Sequence, residues 1–370
     1  MTQLWDGIYG QNSAKKSLES FINSKNIPQA IIFNGSDGIG KDFIASRFSF
    51  IINGLLKPQH ELFTSSVLKY IIPLPTGKNE TSSDGPLDKF TNTEYEAIIS
   101  EIEKKNHNPY YSIQIPKANV IKINSIREIN KFVSLNYSEL KYRVILISSA
   151  HLMNEEAQNA LLKNLEEPPE GIIFILTTSN LVKLKETIRS RCWILDFEPL
   201  DENDIAEVLK NYYNVDAHSA EEVKKFALGS ATTAFNYLQN DFEFIKEKVI
   251  VFLRNALGGK FHSAQKELSI LSKNNSENSV EIFLKLVLFW LQDVERHRKK
   301  SGELFFEGFT ETFEKFNSRF SDYNVNPAIS AIENLLHLYL NTNINLNVIL
   351  FNLIFEINSV INPHLKEEAF

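Results

Sequence analysis

The chain is 370 residues long and contains a single cysteine, Cys192. One thiol cannot close an internal disulfide or build a thiolate-rich zinc site, so a cytoplasmic setting is expected. Long apolar runs are missing as well. The richest windows, IFLKLVLFWL and VILFNLIF, are about half the ~20 residues that a membrane-spanning helix needs. Both read as buried helix faces, and no membrane partner is expected. The opening MTQLWDG has no basic start followed by an apolar stretch, so no signal peptide is expected. Positive charge is not in excess: the net formal charge of -7 argues against a surface coated by nucleic acid, while permitting a local basic patch. No internal repeat or low-complexity tract is evident.

What is present describes a soluble globular chain. Hydrophobic residues make up 43% and charged residues 23%, and the length suggests two or three domains. GQNSAKKSLESFINS has helical spacing, with Ala14, Leu18, Phe21 and Ile22 on one face. IPQAIIFNG follows as a buried strand, then a glycine loop, and DFIASRFSFIINGLL resumes the helical pattern. Residues 73–90, rich in Pro, Gly, Ser and charge, read as an exposed excursion ahead of a helix through EYEAIISEIEKK.

YSIQIP, YRVILISSA and GIIFILTTS read as strands, with helical pattern after the first and between the last two. Strands alternating with helices imply a mostly parallel sheet covered on both faces. In HLMNEEAQNALLKNLEEPPE, Asn154 can cap a helix, Glu155 and Glu156 favour its first turn, and Pro168 with Pro169 ends it. Beyond about Leu200 the pattern is helical. The expected organisation is an α/β domain over 1–198, a small helical domain over 199–240 and an all-helical domain over 241–370.

The glycine loop, GSDGIGKD at 35–42, fits the phosphate-binding pattern G-x-x-x-x-G-K-[ST] except at its last position, Asp42. Gly35, Gly38, Gly40 and Lys41 supply the backbone N–H cradle and the positive charge that phosphates require. A Ser or Thr at 42 would place its hydroxyl on Mg²⁺, whereas Asp42 puts an anion there. Nucleotide hydrolases of this architecture also end a buried strand in metal-holding carboxylates. Here that strand, VILISSA, ends in Ser148 and Ser149, which replace neither the charge nor the base. His151 is the nearest titratable group and reads as a surface residue at a helix start. The two losses point to nucleotide-site ancestry with little or no hydrolysis.

The motifs GIYGQNSAKKSL, AIIFNGSDGIGKD, SIREI, NALLKNLEEPPEGIIFILTT and TIRSRCWILDFEPL occur in this order over the first 200 residues. With them the chain resembles the AAA+ clamp-loader subunits of bacterial DNA polymerase III. The resemblance implies an AAA+ P-loop domain with a parallel sheet, a helical lid and an all-α C-terminal collar. It identifies Arg191 in Ser190-Arg191-Cys192 as an arginine finger acting in trans on a neighbouring subunit's nucleotide, with Cys192 a small buried residue of that motif. Thr177 and Thr178 fall at the sensor-one position, Thr178 being the candidate, and read either as a phosphate sensor or as residues that simply end a strand; the second sensor's arginine is replaced by Thr232. The 73–90 excursion lies where many relatives insert a four-cysteine zinc module.

Missing cis machinery beside a kept finger fits the delta-prime branch better than the ATP-hydrolysing gamma and tau branch. The resemblance then implies a subunit of the polymerase III holoenzyme without independent ATPase activity, requiring no cofactor, with no ATP or Mg²⁺ expected at its own loop. Its partners would be gamma/tau and delta in a hetero-pentamer, the sliding clamp, and primer-template DNA through the complex. An active gamma/tau-like ATPase using Asp42 as metal ligand, or another AAA+ adaptor, is the alternative. The basic cluster Arg296, His297, Arg298, Lys299 and Lys300 reads either as a phosphate contact or as a solvated helix end.

Overall fold

The computed structural model describes residues 4–55, 61–134, 140–273, 277–320, 324–342 and 345–359. It divides into two compact units, 1–235 and 236–370. In the first, β1 (Ala30–Asn34), β2 (Leu68–Ile71), β3 (Arg143–Ile147), β4 (Ile172–Thr178) and β5 (Trp193–Asp196) form one parallel sheet ordered β2-β3-β4-β1-β5. Helix α1 (Asn12–Ser24) precedes β1 and α2 (Lys41–Ile51) follows it. Between β2 and β3 lie α3 (Asn92–His107) and α4 (Ile123–Ser134); α5 (Glu155–Glu166) joins β3 to β4, and the short α6 (Glu186–Arg189) precedes β5. Helices α7 (Glu202–Tyr213), α8 (Ala217–Lys224) and α9 (Ala231–Gln239) follow, and the division between the units falls inside α9.

Both faces of the sheet are apolar, as parallel strands connected by helices require. Ile32, Ile145, Ile147, Phe174 and Leu176 pack with Ile126, Ile129, Ala157, Leu161 and Leu165 of α4 and α5. The alternate positions Ile31, Phe33, Val144, Leu146, Ile173 and Ile175 are equally buried. Asn154 caps α5 as its sequence suggests, its Oδ1 accepting the Ala157 N–H at 2.9 Å.

Three strand assignments differ from the sequence reading, β5 (Trp193–Asp196) being a strand that it did not foresee. YSIQIP is not a strand. The Gln114 N–H donates to the Glu101 carboxylate at 2.6 Å, and Lys117 turns the chain at φ 62°. Ile113 and Ile115 pack instead on Ile72, Leu74 and Ile98. The sheet edge beside β3 belongs to β2, which pairs Leu68 with Val144 through Ile71 with Ile147.

The 73–90 excursion has its own anchoring. The Glu80 carboxylate, 4% exposed, accepts from Lys122 Nζ at 2.5 Å, Asn124 Nδ2 at 2.9 Å and the Gly77 N–H at 2.7 Å. Arg127 donates to the Ser82 carbonyl, and Thr91 with Glu94 forms a reciprocal cap that starts α3.

The second unit is helical: α10 (Phe242–Leu257), α11 (Phe261–Lys273), α12 (Glu277–Lys299), α13 (Thr310–Arg319), α14 (Asn326–Asn341) and α15 (Leu346–Ser359). Its core includes the edge-to-face pair Phe252–Phe283 and Trp290 against Phe313 and Phe316. At the end of α12, Arg296 lies 3.6 Å from the buried Asp293, and Arg298 and Lys299 share Glu295 at 2.7 and 3.0 Å. Intrachain ion pairs thus engage three of the five residues in the basic cluster.

Candidate functional site: a closed glycine loop and an exposed arginine

The loop leaves β1 at Asn34 and enters α2 at Lys41. Gly35, Gly38 and Gly40 have φ of 157°, 76° and 91°; the latter two lie in the left-handed region that favours glycine. The Gly35 N–H donates to the Thr178 carbonyl at 3.1 Å, fastening the loop to the end of β4. Lys41 is buried and turns back on the loop. Its Nζ donates to the Gly35 and Ser36 carbonyls at 2.6 and 2.5 Å and lies 3.7 Å from Asp37. Burial lowers its pKa, while Asp37 and Asp42 act in the opposite direction.

Asp42, one residue on, is the hub of a closed hydroxyl network. Its Oδ2 accepts from Ser148 Oγ at 2.7 Å and Tyr70 Oη at 2.9 Å; its Oδ1 accepts from Thr177 Oγ1 at 2.8 Å. The donors come from the ends of β2, β3 and β4, so the parallel order of the sheet brings them together. Burial, and then the Asp42 charge, push the Tyr70 phenol well above its ordinary range. Behind this network the buried Lys105 donates to the Tyr111 carbonyl at 2.6 Å and lies 5.6 Å from the centre of the Phe63 ring. Burial lowers its pKa, and the Asp42 charge partly offsets that shift.

These residues do not fit Mg²⁺. A carboxylate has about four lone-pair sites, and three are held by hydroxyl donors that a cation would have to displace. Ser148 is one of those donors, and Ser149 gives its backbone N–H to Thr177 Oγ1 at 3.2 Å. Neither supplies the anionic oxygen that the ion prefers.

Of the two threonines at the end of β4, Thr177 reaches Asp42. Thr178 accepts the Asn180 N–H at 3.0 Å and lies 3.3 Å from His151 Nδ1. His151 is half-buried in a one-turn 3₁₀ helix, and desolvation lowers its imidazole pKa. Thr232 and Ser230 lie against Gly38: a Cβ there would come within 2.7 Å of Thr232 Oγ1 and 2.4 Å of Ser230 Oγ. Thr232 donates to the Tyr110 carbonyl at 3.3 Å and brings no positive charge.

Arg191 lies elsewhere. It is two residues before Trp193, which pairs with Ile31 near the start of β1, whereas the loop leaves the far end of β1. The guanidinium donates to Glu166 Oε1 at 2.9 Å and the Thr187 carbonyl at 3.0 Å, with the side chain 37% exposed. It borders an open groove of about 420 Å³ that Pro28, Pro168, Cys192 and Trp193 also line. Burial pushes the Cys192 thiol up to about 12, so it carries no thiolate at neutral pH.

Tyr70, Lys105 and Tyr110 were not singled out by sequence reasoning. All three are brought to the loop by long-range pairing, and only the apolar run around Tyr70, LKYII, offered a signal.

The family model described as "DNA polymerase III, delta subunit" matches residues 91–201. The gamma subunit of DNA polymerase III from Buchnera aphidicola subsp. Schizaphis graminum is 29% identical over 252 residues, 67% of this chain and 61% of that protein. The delta-prime subunit of the same organism is 29% identical over 184 residues, 50% of this chain and 55% of that one. The tau subunit of Bacillus subtilis is 28% identical over 229 residues, 62% of this chain and 35% of its own length. The chain therefore spans less than two thirds of each of these relatives. A gamma-subunit-related protein from Thermotoga maritima, known as a crystal structure, aligns over 93% of this chain and 99% of its own with a TM-score of 0.45 and 14% identity. The chain is thus similar to subunits of DNA polymerase III, those named gamma and tau as closely as the one named delta-prime.

Proposed function

We propose that this chain is a delta-prime-like subunit of the DNA polymerase III clamp loader, with no ATP turnover of its own, and that Arg191 completes the nucleotide site of a neighbouring ATPase subunit. The observation that carries this reading is the engagement of Asp42 by three hydroxyl donors, Tyr70, Ser148 and Thr177. The loop hydroxyl and the strand carboxylate that would hold a metal are both replaced, and the replacements bond to each other.

Arg191 supports the second half of the reading. Its partner Glu166 is 51% exposed, and an exposed ion pair of this kind is worth about 0–1 kcal/mol. A phosphate can therefore take the guanidinium from Glu166 at small cost and gain a charge-assisted bidentate contact. In this reading residues 1–198 pair with the ATPase subunit, 199–240 form the lid, and 241–370 join the collar of a hetero-pentamer with gamma/tau and delta. The complex then opens the sliding clamp and places it on primer-template DNA, in the cytoplasm.

Two measurements test the proposal. The purified full chain is expected to show no Mg²⁺-dependent ATP turnover; turnover that Lys41→Ala abolishes would refute it. That result would favour a gamma/tau-like ATPase, a reading supported by the relatives of those names. In the reconstituted loader, Arg191→Ala is expected to leave assembly unchanged and slow the site it serves by about a hundredfold or more. An unchanged ATPase rate would remove Arg191 from this role.

A further inference from the structure

Tyr110 touches five separate parts of the first unit. It lies beyond the end of α3 and is only 2% exposed. Its ring meets the last glycine of the loop so closely that a Cβ on Gly40 would stand 3.0 Å from a ring carbon. The same ring packs edge-on against Phe43 of α2, with centroids 5.7 Å apart, and tilted against Tyr212 of α7 at 5.1 Å. Its Oη accepts the Tyr9 N–H at 3.0 Å. Its carbonyl accepts from Tyr213 Oη at 2.9 Å and Thr232 Oγ1 at 3.3 Å, which belong to α7 and α9.

The surrounding contacts have the same direction. Tyr212 Oη donates to the Gly7 carbonyl at 2.7 Å, and the Ala231 N–H donates to the Gly38 carbonyl at 3.2 Å. The helices after the sheet are thus fastened both to the loop and to the segment before α1 by groups of this chain alone. Burial pushes the phenols of Tyr110 and Tyr213 upward, the latter to about 12, so both remain neutral donors and acceptors across the physiological range.

We propose that Tyr110 is a built-in latch that holds helices 202–235 on the glycine loop and makes their placement independent of any nucleotide. The latch is a property of the isolated chain and does not depend on which clamp-loader subunit the chain is. The failure of Arg191 to stimulate a neighbour would leave it untouched.

Hydrogen exchange on the full chain tests it. The double variant Tyr213→Phe/Thr232→Val removes both side-chain donors to the Tyr110 carbonyl and leaves every ring in place. Two lost hydrogen bonds predict about tenfold faster exchange in peptides covering 202–213 and 231–235, with β3 and β4 unchanged. Tyr110→Phe removes only the acceptor of the Tyr9 N–H, and is expected to speed exchange around Tyr9 alone. Adding Mg·ATP to the wild type is expected to leave these peptides unaltered. Three results would overturn the latch: exchange in 202–235 of the double variant within about twofold of wild type, acceleration spread evenly through the sheet, or protection of these helices by nucleotide.

Discussion

Replacing Asp42 tests the network at its centre. Asp42→Ala leaves Tyr70, Ser148 and Thr177 hydroxyls that had donated over 2.7–2.9 Å without their acceptor. A hydrogen bond to a charged group contributes about 1.5–3 kcal/mol, but Asp42 is half-buried and water recovers part of the loss. Weighing the two gives a cost of about 3 kcal/mol, which corresponds to more than a hundredfold in local opening. Asp42→Asn keeps one acceptor oxygen for Thr177, and its amide can donate to hydroxyls that rotate to accept, so about half that loss is expected.

The chain has two units, so a global unfolding midpoint would mix two transitions. Native-state hydrogen exchange of β3 and β4 peptides reads the local term directly. The order of exchange should be Asp42→Ala fastest, then Asp42→Asn, then wild type. An Asp42→Ala chain within ~0.5 kcal/mol of wild type would refute the claim that the network holds these strand ends together. Asp42→Ser, which writes the phosphate-loop pattern back, is expected to gain no ATP turnover, because Ser148 and Ser149 still offer no carboxylate.

Two further outcomes follow from buried charge. Lys122→Met strands the Glu80 carboxylate, 4% exposed, and should cost about 3 kcal/mol and loosen residues 73–90 toward proteolysis. Adding Glu80→Gln should recover most of that, and a single variant as resistant as wild type would contradict the anchoring role. His151 has its pKa lowered by burial, so the unfolded chain binds its proton first. Stability is therefore fully present above about pH 6.5 and falls as the pH drops through the lower folded value. His151→Gln should flatten this part of the pH profile, measured by exchange of peptides spanning 149–153; an unchanged slope would show that His151 does not cause it.

Local chemistry made much of this legible. The Asn154 cap, the double proline after α5 and the spacing of the glycine loop each depend on residues a few positions apart, and each appears where its residues suggest. Pairing between distant strands was not legible. YSIQIP has the alternation of a strand, yet its backbone is captured by Glu101, whereas LKYII takes the sheet edge. That exchange hid Tyr70, and with it the reason that an aspartate is tolerated at position 42. The losses at 42, 148 and 232 could be read one by one; that two of them bond to each other could not.

The register of β1 with β5 has a consequence for assembly. Ile31 pairs with Trp193 and Asn34 with Asp196, so the glycine loop and Arg191 sit at opposite ends of two parallel strands, roughly 13 Å of extended chain apart. Under the proposed function the unit has a polarity, with a receiving end at the loop and a donating end at the arginine. Copies or relatives that stack through such ends must do so head to tail. In that proposed reading, a loop whose Asp42 is held by its own chain's hydroxyls makes this subunit one that terminates such a series rather than extending it in both directions.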